Sequence, residues 1–470
     1  MARIPLGGRA RNYDSDKSRE SLQNLIFEVN RDGSFSSIRR TEGLTLLVSL
    51  DNPVRSNIHI YSGKMYVVSG TSFLSIDSTY TVTNLGSVGG SGRAKILINA
   101  KGSGPQMLIL NGSGDGYIYT VAGGLAIISD TDWQASSHGA ILNERFWLVK
   151  DGTNQFFASN ISDGTAYNPL SIATAEESPD NVIAIAAKKS SLWIIGEKTT
   201  EFWQTFDDVL LPVRRVKYAT KERGILAPES YADVGEYVAF LADDCTVRLI
   251  KDTTFERISD LELELRIKGN GTAAFPGFTH PETAFGFFSD GPVHKVYYLT
   301  FPDDGYTWGY DITTGLTHTR DSDDTGTWRI CCVHKFNNDF VGGDWKDGKI
   351  WKLDPAAFDE GGNKIRTIIT TPPVEGGEVD ITIPTIEIEM EVGQTTDGSM
   401  PQMIVYYTKD GGNTWVNKGP ISLGKAGEFS KRVVLRQFGR LVRHKEFALR
   451  LEITDAAPTR FYSMWLTPGV

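Results

Sequence analysis

What this chain lacks narrows it first. No apolar run comes near the roughly 18–20 residues that a membrane-spanning helix needs, so no span is expected. The opening M-A-R-I-P-L-G-G-R-A-R has no apolar core of the kind a secretory signal carries. Cysteine is scarce: Cys245, Cys331 and Cys332 are an odd number with two adjacent. That sets up no disulfide framework and fits synthesis in a reducing cytoplasm. Helical periodicity is nearly absent, residues 261–267 being the one short stretch that carries it. Surplus positive charge is missing too. A net charge of −10 argues against a surface that grips nucleic acid as a whole, because that affinity comes from Lys and Arg neutralising phosphates.

Catalytic signatures are absent as well. None of H-E-x-x-H, G-x-x-x-x-G-K-[ST], C-x-x-C or G-x-S-x-G occurs. The histidines at 59, 138, 280, 294, 318, 334 and 444 never fall at metal-ligand spacing. G-S-G-D-G at 112–116 has strand patterns on both sides and no following helix, so it reads as a hairpin turn rather than a phosphate cradle. Asp321-Ser322-Asp323-Asp324 offers oxygen ligands but lacks the glycine and distal glutamate of an EF-hand, and reads as a solvated loop, as does Asp303-Asp304. No catalytic residue, metal or cofactor is expected, and the chain is not expected to be an enzyme.

What is present is a repeat. Aromatics make up 11% of the 470 residues, with 48 glycines and many Asp-Gly or Asn-Gly turns, which favours strands. Short apolar runs begin near Lys64, Met107, Phe146, Leu192, Tyr237, Val296 and Phe340, and each is followed by a polar turn and a second run. The spacing averages about 46 residues, the period of a β-propeller blade. An all-β fold is therefore expected: a six- or seven-bladed β-propeller over 41–371 and a C-terminal β-sandwich domain over 372–470. Pro372-Pro373 and Gly376-Gly377 mark the boundary, after which I-E-I-E-M-E-V at 386–392 alternates strictly, as in a strand with one solvated face. Residues 1–40 are expected to form an N-terminal arm and a first strand near 25–29, and 44–50 reads as a firmer strand.

Three basic groups stand out. Arg3, Arg9 and Arg11 precede the first acid, Asp14. Arg214, Arg215, Lys217, Lys221 and Arg223 stand against Glu222 alone. Lys431, Arg432, Arg436, Arg440, Arg443, Lys445 and Arg450 stand against Glu446 alone. Each group is either a solvated, locally paired surface or a contact to an acidic neighbouring subunit or DNA; the chain's acidity favours the protein contact. T-K-D-G-G-N-T-W at 408–415 resembles the Asp-box turn of sialidases and many other propellers, a structural hairpin in which Asp410 accepts loop amides. A carbohydrate-binding or glycan-cleaving propeller is the alternative that this turn raises.

Further residues carry a wider resemblance. E-E-S-P-D-N-V at 176–182, L-W-I-I-G-E-K-T-T-E-F-W at 192–203 and N-E-R-F-W-L-V-K-D-G-T-N-Q-F-F-A-S-N at 143–160 come in order, followed by the 408–415 turn and Q-F-G-R-L-V-R-H-K-E-F-A-L-R-L at 437–451. Together they resemble the tail hub (nozzle) proteins of short-tailed bacteriophages, also called packaged DNA stabilisation proteins. The likeness runs from about residue 143 to the C-terminus; Glu42-Gly43-Leu44 stands where the family has Pro-Gly-Leu. The resemblance implies a non-enzymatic virion protein, assembled in the host bacterial cytoplasm into a hexameric ring below the portal and adaptor rings. Such a ring extends the channel for double-stranded DNA, helps retain the genome and takes part in its ejection, carries a tail plug or needle, and contacts spikes or fibres. In that setting Arg3, Arg9, Arg11, Arg214, Arg215, Lys217, Arg432, Arg436, Arg440 and Arg443 are candidate subunit or partner contacts. Glu176, Glu177, Asp180, Glu197 and Glu201 read as turn, cap and blade-edge carboxylates rather than as acid–base groups.

Overall fold

A strand that is apolar at every position needs cover on both faces. Lys64–Ser69 is such a strand: Met65, Tyr66, Val67 and Val68 are all buried, and their Cβ atoms point alternately to opposite sides of the sheet. The computed structural model describes residues 2–4, 21–30, 32, 34–101, 104–175, 180–272, 275–291, 294–375, 378–395 and 399–467, and in it each sheet stands between two others. Tyr66 and Val68 pack with Ile96 and Ile109 of the next sheet. Further along, Leu108 and Leu110 meet Phe146 and Leu148. Trp147 and Val149 meet Leu192 and Ile194, and Trp193 and Ile195 meet Val238 and Phe240. Ala239 and Leu241 meet Tyr297 and Leu299. Val296 and Tyr298 share a cluster with Ile330, Val341 and Ile350, and with Met65 and Val67 of the first sheet. The circle of apolar clusters therefore closes.

Among the described residues this gives seven blades, six of them antiparallel sheets of four consecutive strands at 59–87, 95–127, 139–174, 182–215, 232–257 and 285–319. The seventh takes three strands from 330–354 and its fourth from the N-terminal side: Gly43–Ser49 pairs antiparallel with Lys349–Asp354, from Ser49 opposite Lys349 to Gly43 opposite Asp354. First strands of neighbouring blades touch one another, so they line the axis and the fourth strands form the rim. The expected short helix is present as Leu261–Lys268. Asp260 caps it by accepting the Leu263 amide at 2.8 Å, and Gly269 closes it at a positive φ of 73°.

The sandwich draws on both ends of the chain. One sheet runs in the order Leu25–Val29, Phe35–Arg40, Arg460–Thr467, Ile381–Met390 and Val433–Leu441, with Ala2–Ile4 also paired to Arg460–Thr467. The other runs Ser21–Gln23, Thr367–Thr370, Glu446–Ile453, Gln402–Thr408 and Val416–Ser422. Leu22, Leu25, Phe27 and Ile38 enter the same core as Ile386, Leu435, Leu449 and Met464.

Buried polar groups weld the two domains together. Gln23 bridges in parallel to Thr319 of the sixth blade, so one hydrogen-bonded sheet continues from the propeller into the sandwich. The side-chain amide of Asn24, itself at φ 54°, donates to the carbonyls of Asp321 (3.0 Å) and Arg366 (2.8 Å), and its carbonyl oxygen accepts the Asp321 amide. The Arg40 guanidinium donates to the carbonyls of Ile365, Asp455 and Ala457.

Asp321 sits in this junction, accepting the Gln23 side-chain amide at 3.1 Å and the Gly326 amide at 2.8 Å. Burial, helped by the Asp324 charge, pushes its carboxyl up to about 6. A carboxyl raised in the folded state keeps its proton longer than in the unfolded chain, so its contribution to stability falls as pH rises from about 4 to about 6. Asp321→Asn is therefore expected to be more stable than the parent at pH 8, by about 1–2 kcal/mol after solvent screening, and to lose that advantage at pH 4. Thermal melts of both proteins at the two pH values check this.

Candidate functional site

The turns picked out in the sequence are structural. In 112–116 the Asn111 side chain accepts the amides of Ser113 (2.8 Å) and Asp115 (3.2 Å), closing a hairpin between Met107–Leu110 and Gly116–Thr120. In 408–415 Asp410 accepts the hydroxyls of Thr414 (2.6 Å) and Thr408 (2.7 Å) and the Thr414 amide (2.9 Å), which holds its carboxyl well below the ordinary range. Gly411 and Gly412 supply the left-handed backbone there, at φ 69° and 88°.

The acids of the 176–206 stretch fare likewise. Asp180 accepts the amides of Lys198 (2.5 Å) and Thr199 (2.8 Å). Glu197 accepts from Asn181 at 3.0 Å, and buried Glu201 accepts the Trp203 indole N–H at 2.9 Å. Glu176 and Glu177 lie outside the described residues. Beside this stretch, a cleft of about 500 Å³ between the fourth and fifth blades is lined by Trp193, Phe202, Gln204 and Glu236. Its Lys188 is already held by Asp233 and by the Gly235 carbonyl.

The basic groups fall on separate surfaces. Arg3 lies in Ala2–Ile4, whose backbone pairs with Arg460–Thr467; Arg9 and Arg11 lie outside the described residues. Arg214 and Arg215 lie on the rim strand Val213–Arg215 of the fourth blade. Arg214 stacks on exposed Phe206 at 4.6 Å, Arg215 stands 3.6 Å from Glu201, and Lys217 is exposed. On the sandwich, Arg436 and Arg440 belong to the edge strand Val433–Leu441, with Arg432 just before it and Arg443 just after. Arg432 forms a two-pronged pair with Glu387 at 2.8 and 2.7 Å, and Arg440 pairs with Asp380. Arg436 and Arg443 are exposed with no ion pair among the described residues. Edge-strand charge also discourages stray strand pairing.

Sequence reading missed the propeller axis. Arg93 and Lys95 leave the second blade and reach across it. The Arg93 guanidinium lies 4.2 Å from the Phe285 ring centre of the sixth blade and donates to the Cys331 carbonyl of the seventh at 3.3 Å. The Lys95 ammonium lies 4.8 Å from the ring of Tyr231, at the entry to the fifth blade. These crossings leave no bore for a nucleic-acid duplex through one propeller. No motif flags the pair, because S-G-R-A-K reads as an ordinary polar entry to a strand.

Two family models match the chain, one described as the β-propeller of bacteriophage P22 Gp10 over residues 2–357 and one as its β-sandwich over residues 367–467. Among curated proteins none matches. Among solved structures, a streptogramin B lyase is similar at 10% identity and a TM-score of 0.45, over 67% of this chain and 98% of its own. BamB from Moraxella catarrhalis is similar at 11% identity and 0.41, over 71% and 94%. The extracellular domain of BT4673 from B. thetaiotaomicron is similar at 10% identity and 0.43, over 84% and 47%. Scores this low carry no argument about this chain.

Proposed function

From the premise that this chain belongs to the bacteriophage P22 Gp10 family, and is thus a non-enzymatic structural protein of the phage tail, we propose that it is the tail nozzle. The observation that carries the reading is the match to both domains of the family in order, 2–357 and then 367–467. The glycan-cleaving alternative does not survive that membership. Six copies form a ring below the portal and adaptor, assembled in the host cytoplasm, that extends the DNA channel, helps retain the genome and passes it at ejection. The blocked axis supports a channel between subunits rather than through one. Tail plug or needle and spikes or fibres dock on the same ring.

A closed ring of identical subunits needs two different surfaces per copy. One candidate is the rim of the third and fourth blades, where Leu170, Phe206, Val209 and Tyr218 are exposed beside Arg214. Hydrogen bonds from Arg145 to the Val209 carbonyl (3.1 Å) and from Ser171 to the Leu210 carbonyl (2.8 Å) hold this apolar hairpin in place. The other candidate is the basic sandwich edge with Arg436 and Arg443. Electron microscopy of purified protein and virions tests the reading; a monomer absent from tails would sink it. A double variant, Arg436→Glu with Arg443→Glu, is expected to lower incorporation into tails at least about tenfold with little change in melting temperature, because both side chains are exposed and unpaired. Quantifying the protein in purified particles checks this.

A further inference from the structure

We propose that the propeller axis holds a binding site for a small oxyanion, a phosphate or a carboxylate, between Lys95 and His138. The argument starts from one hydrogen bond. The Ile185 amide donates to His138 Nδ1 at 3.2 Å. A ring nitrogen that accepts carries no proton, so the neutral imidazole has its hydrogen on Nε2. His138 is only 3% exposed, and burial together with the Lys95 charge keeps it neutral by pushing its pKa well below the usual value. That Nε2–H has no hydrogen-bond partner. Native proteins seldom leave a buried donor unmet, and an orphan of this kind marks a place where something is bound.

A second unmet donor stands around the same ring. The His138 ring meets Tyr231 edge to face with centres 4.7 Å apart, and the Lys95 ammonium lies 4.8 Å from the Tyr231 centre. Lys95 makes no hydrogen bond or ion pair among the described residues. The nearby carboxylate, Glu229, lies 3.9 Å from the Arg93 guanidinium instead. Lys95 and Tyr231 are both partly exposed, so the site opens to solvent. Two convergent donors, with Arg93 behind them, ask for a ligand with two or more acceptor oxygens and a negative charge; a cation is excluded by the same charges. Phosphate and carboxylate share that chemistry. The inference stands apart from the ring reading, since it concerns the axis of a single copy.

The site should lose affinity in alkali. Arg93, Glu229, His138 and Tyr231 are the charged and titratable groups around Lys95. Burial first, then Arg93, hold the Lys95 ammonium down to about 8, while Glu229 opposes them. Its charge is thus largely gone by pH 9.5.

Calorimetric titration of the full chain with inorganic phosphate, and separately with acetate, at pH 7 and 9.5 tests the proposal. Saturable binding of at least one of them at pH 7 is expected, at least tenfold weaker at pH 9.5 and abolished in Lys95→Met. The arm that binds names the source, free phosphate or a carboxylate. Nitrogen-15 labelled histidine adds a readout that needs no variant: the His138 Nε2–H resonance should shift on ligand addition. Absence of saturable binding by the parent protein, undiminished binding by Lys95→Met, or an unmoved resonance at saturation would each overturn it.

Discussion

Replacing Arg329 with methionine is expected to cost about 3–5 kcal/mol of stability, because the change strands buried carboxylates rather than merely removing a contact. Arg329 is 3% exposed and lies among four acids of the seventh blade and its flanking loops. Its guanidinium pairs with Asp323, stands 3.3 Å from Asp344 and 3.2 Å from Asp347, and has its Nε 3.3 Å from Glu360. Asp344 is fully buried and also accepts the Trp351 indole N–H (2.9 Å) and the amides of Lys346 (2.7 Å) and Asp347 (3.0 Å). Without the arginine, Asp344 and Glu360 must either hold charge in a low dielectric or take up protons. The damage falls on the blade that closes the ring. Urea unfolding measures the loss. Arg329→Lys keeps the charge without the planar fork and should fall between parent and methionine. Adding Asp344→Asn to Arg329→Met should recover part of the loss, since one stranded charge then disappears. A loss below about 1 kcal/mol would show that the arginine does not hold these charges.

The blades were legible because their burial is local in sequence. A strand such as Ser191–Gly196 faces a neighbour on each side, so its letters are apolar throughout, and the next blade repeats the pattern. Closure was not legible. Residues 44–50 read correctly as a strand, but nothing near them points to Lys349–Asp354 as the partner. The same holds for Asn24 and Arg40, whose hydrogen-bond partners stand some 300 to 400 residues away. The basic run after residue 430 was plain as composition, yet composition does not reveal which charges are already engaged. Arg432, Arg440 and Arg450 meet Glu387, Asp380 and Glu452, of which only Glu452 is close in sequence. Arg436 and Arg443 stand out once those pairs are seen. The axis was silent for a related reason: Lys95 and His138 are 43 positions apart and meet only because the ring brings first strands together.

Deleting residues 1–42 while keeping Gly43–Ser49 is expected to unfold the sandwich and leave the propeller closed. The kept strand still pairs with Lys349–Asp354. The lost segment takes Leu22, Leu25, Phe27 and Ile38 out of the sandwich core and exposes the side chains they cover. At roughly 1.5–3 kcal/mol for each fully buried side chain, the four are worth on the order of 6–12 kcal/mol, comparable with the whole stability of a domain. The Arg40 guanidinium goes too, leaving the carbonyls of Ile365 and Ala457 without that donor. Limited proteolysis followed by mass spectrometry reads the result: cleavage should concentrate between 372 and 467, with 43–354 protected. A shorter deletion of residues 1–20 is the control. It removes the pairing of Ala2–Ile4 with Arg460–Thr467 but none of those four side chains, so the sandwich should stay protected. If the 43–470 chain resists protease across both domains, the N-terminal strands contribute little to the core they enter, and the sandwich is self-sufficient.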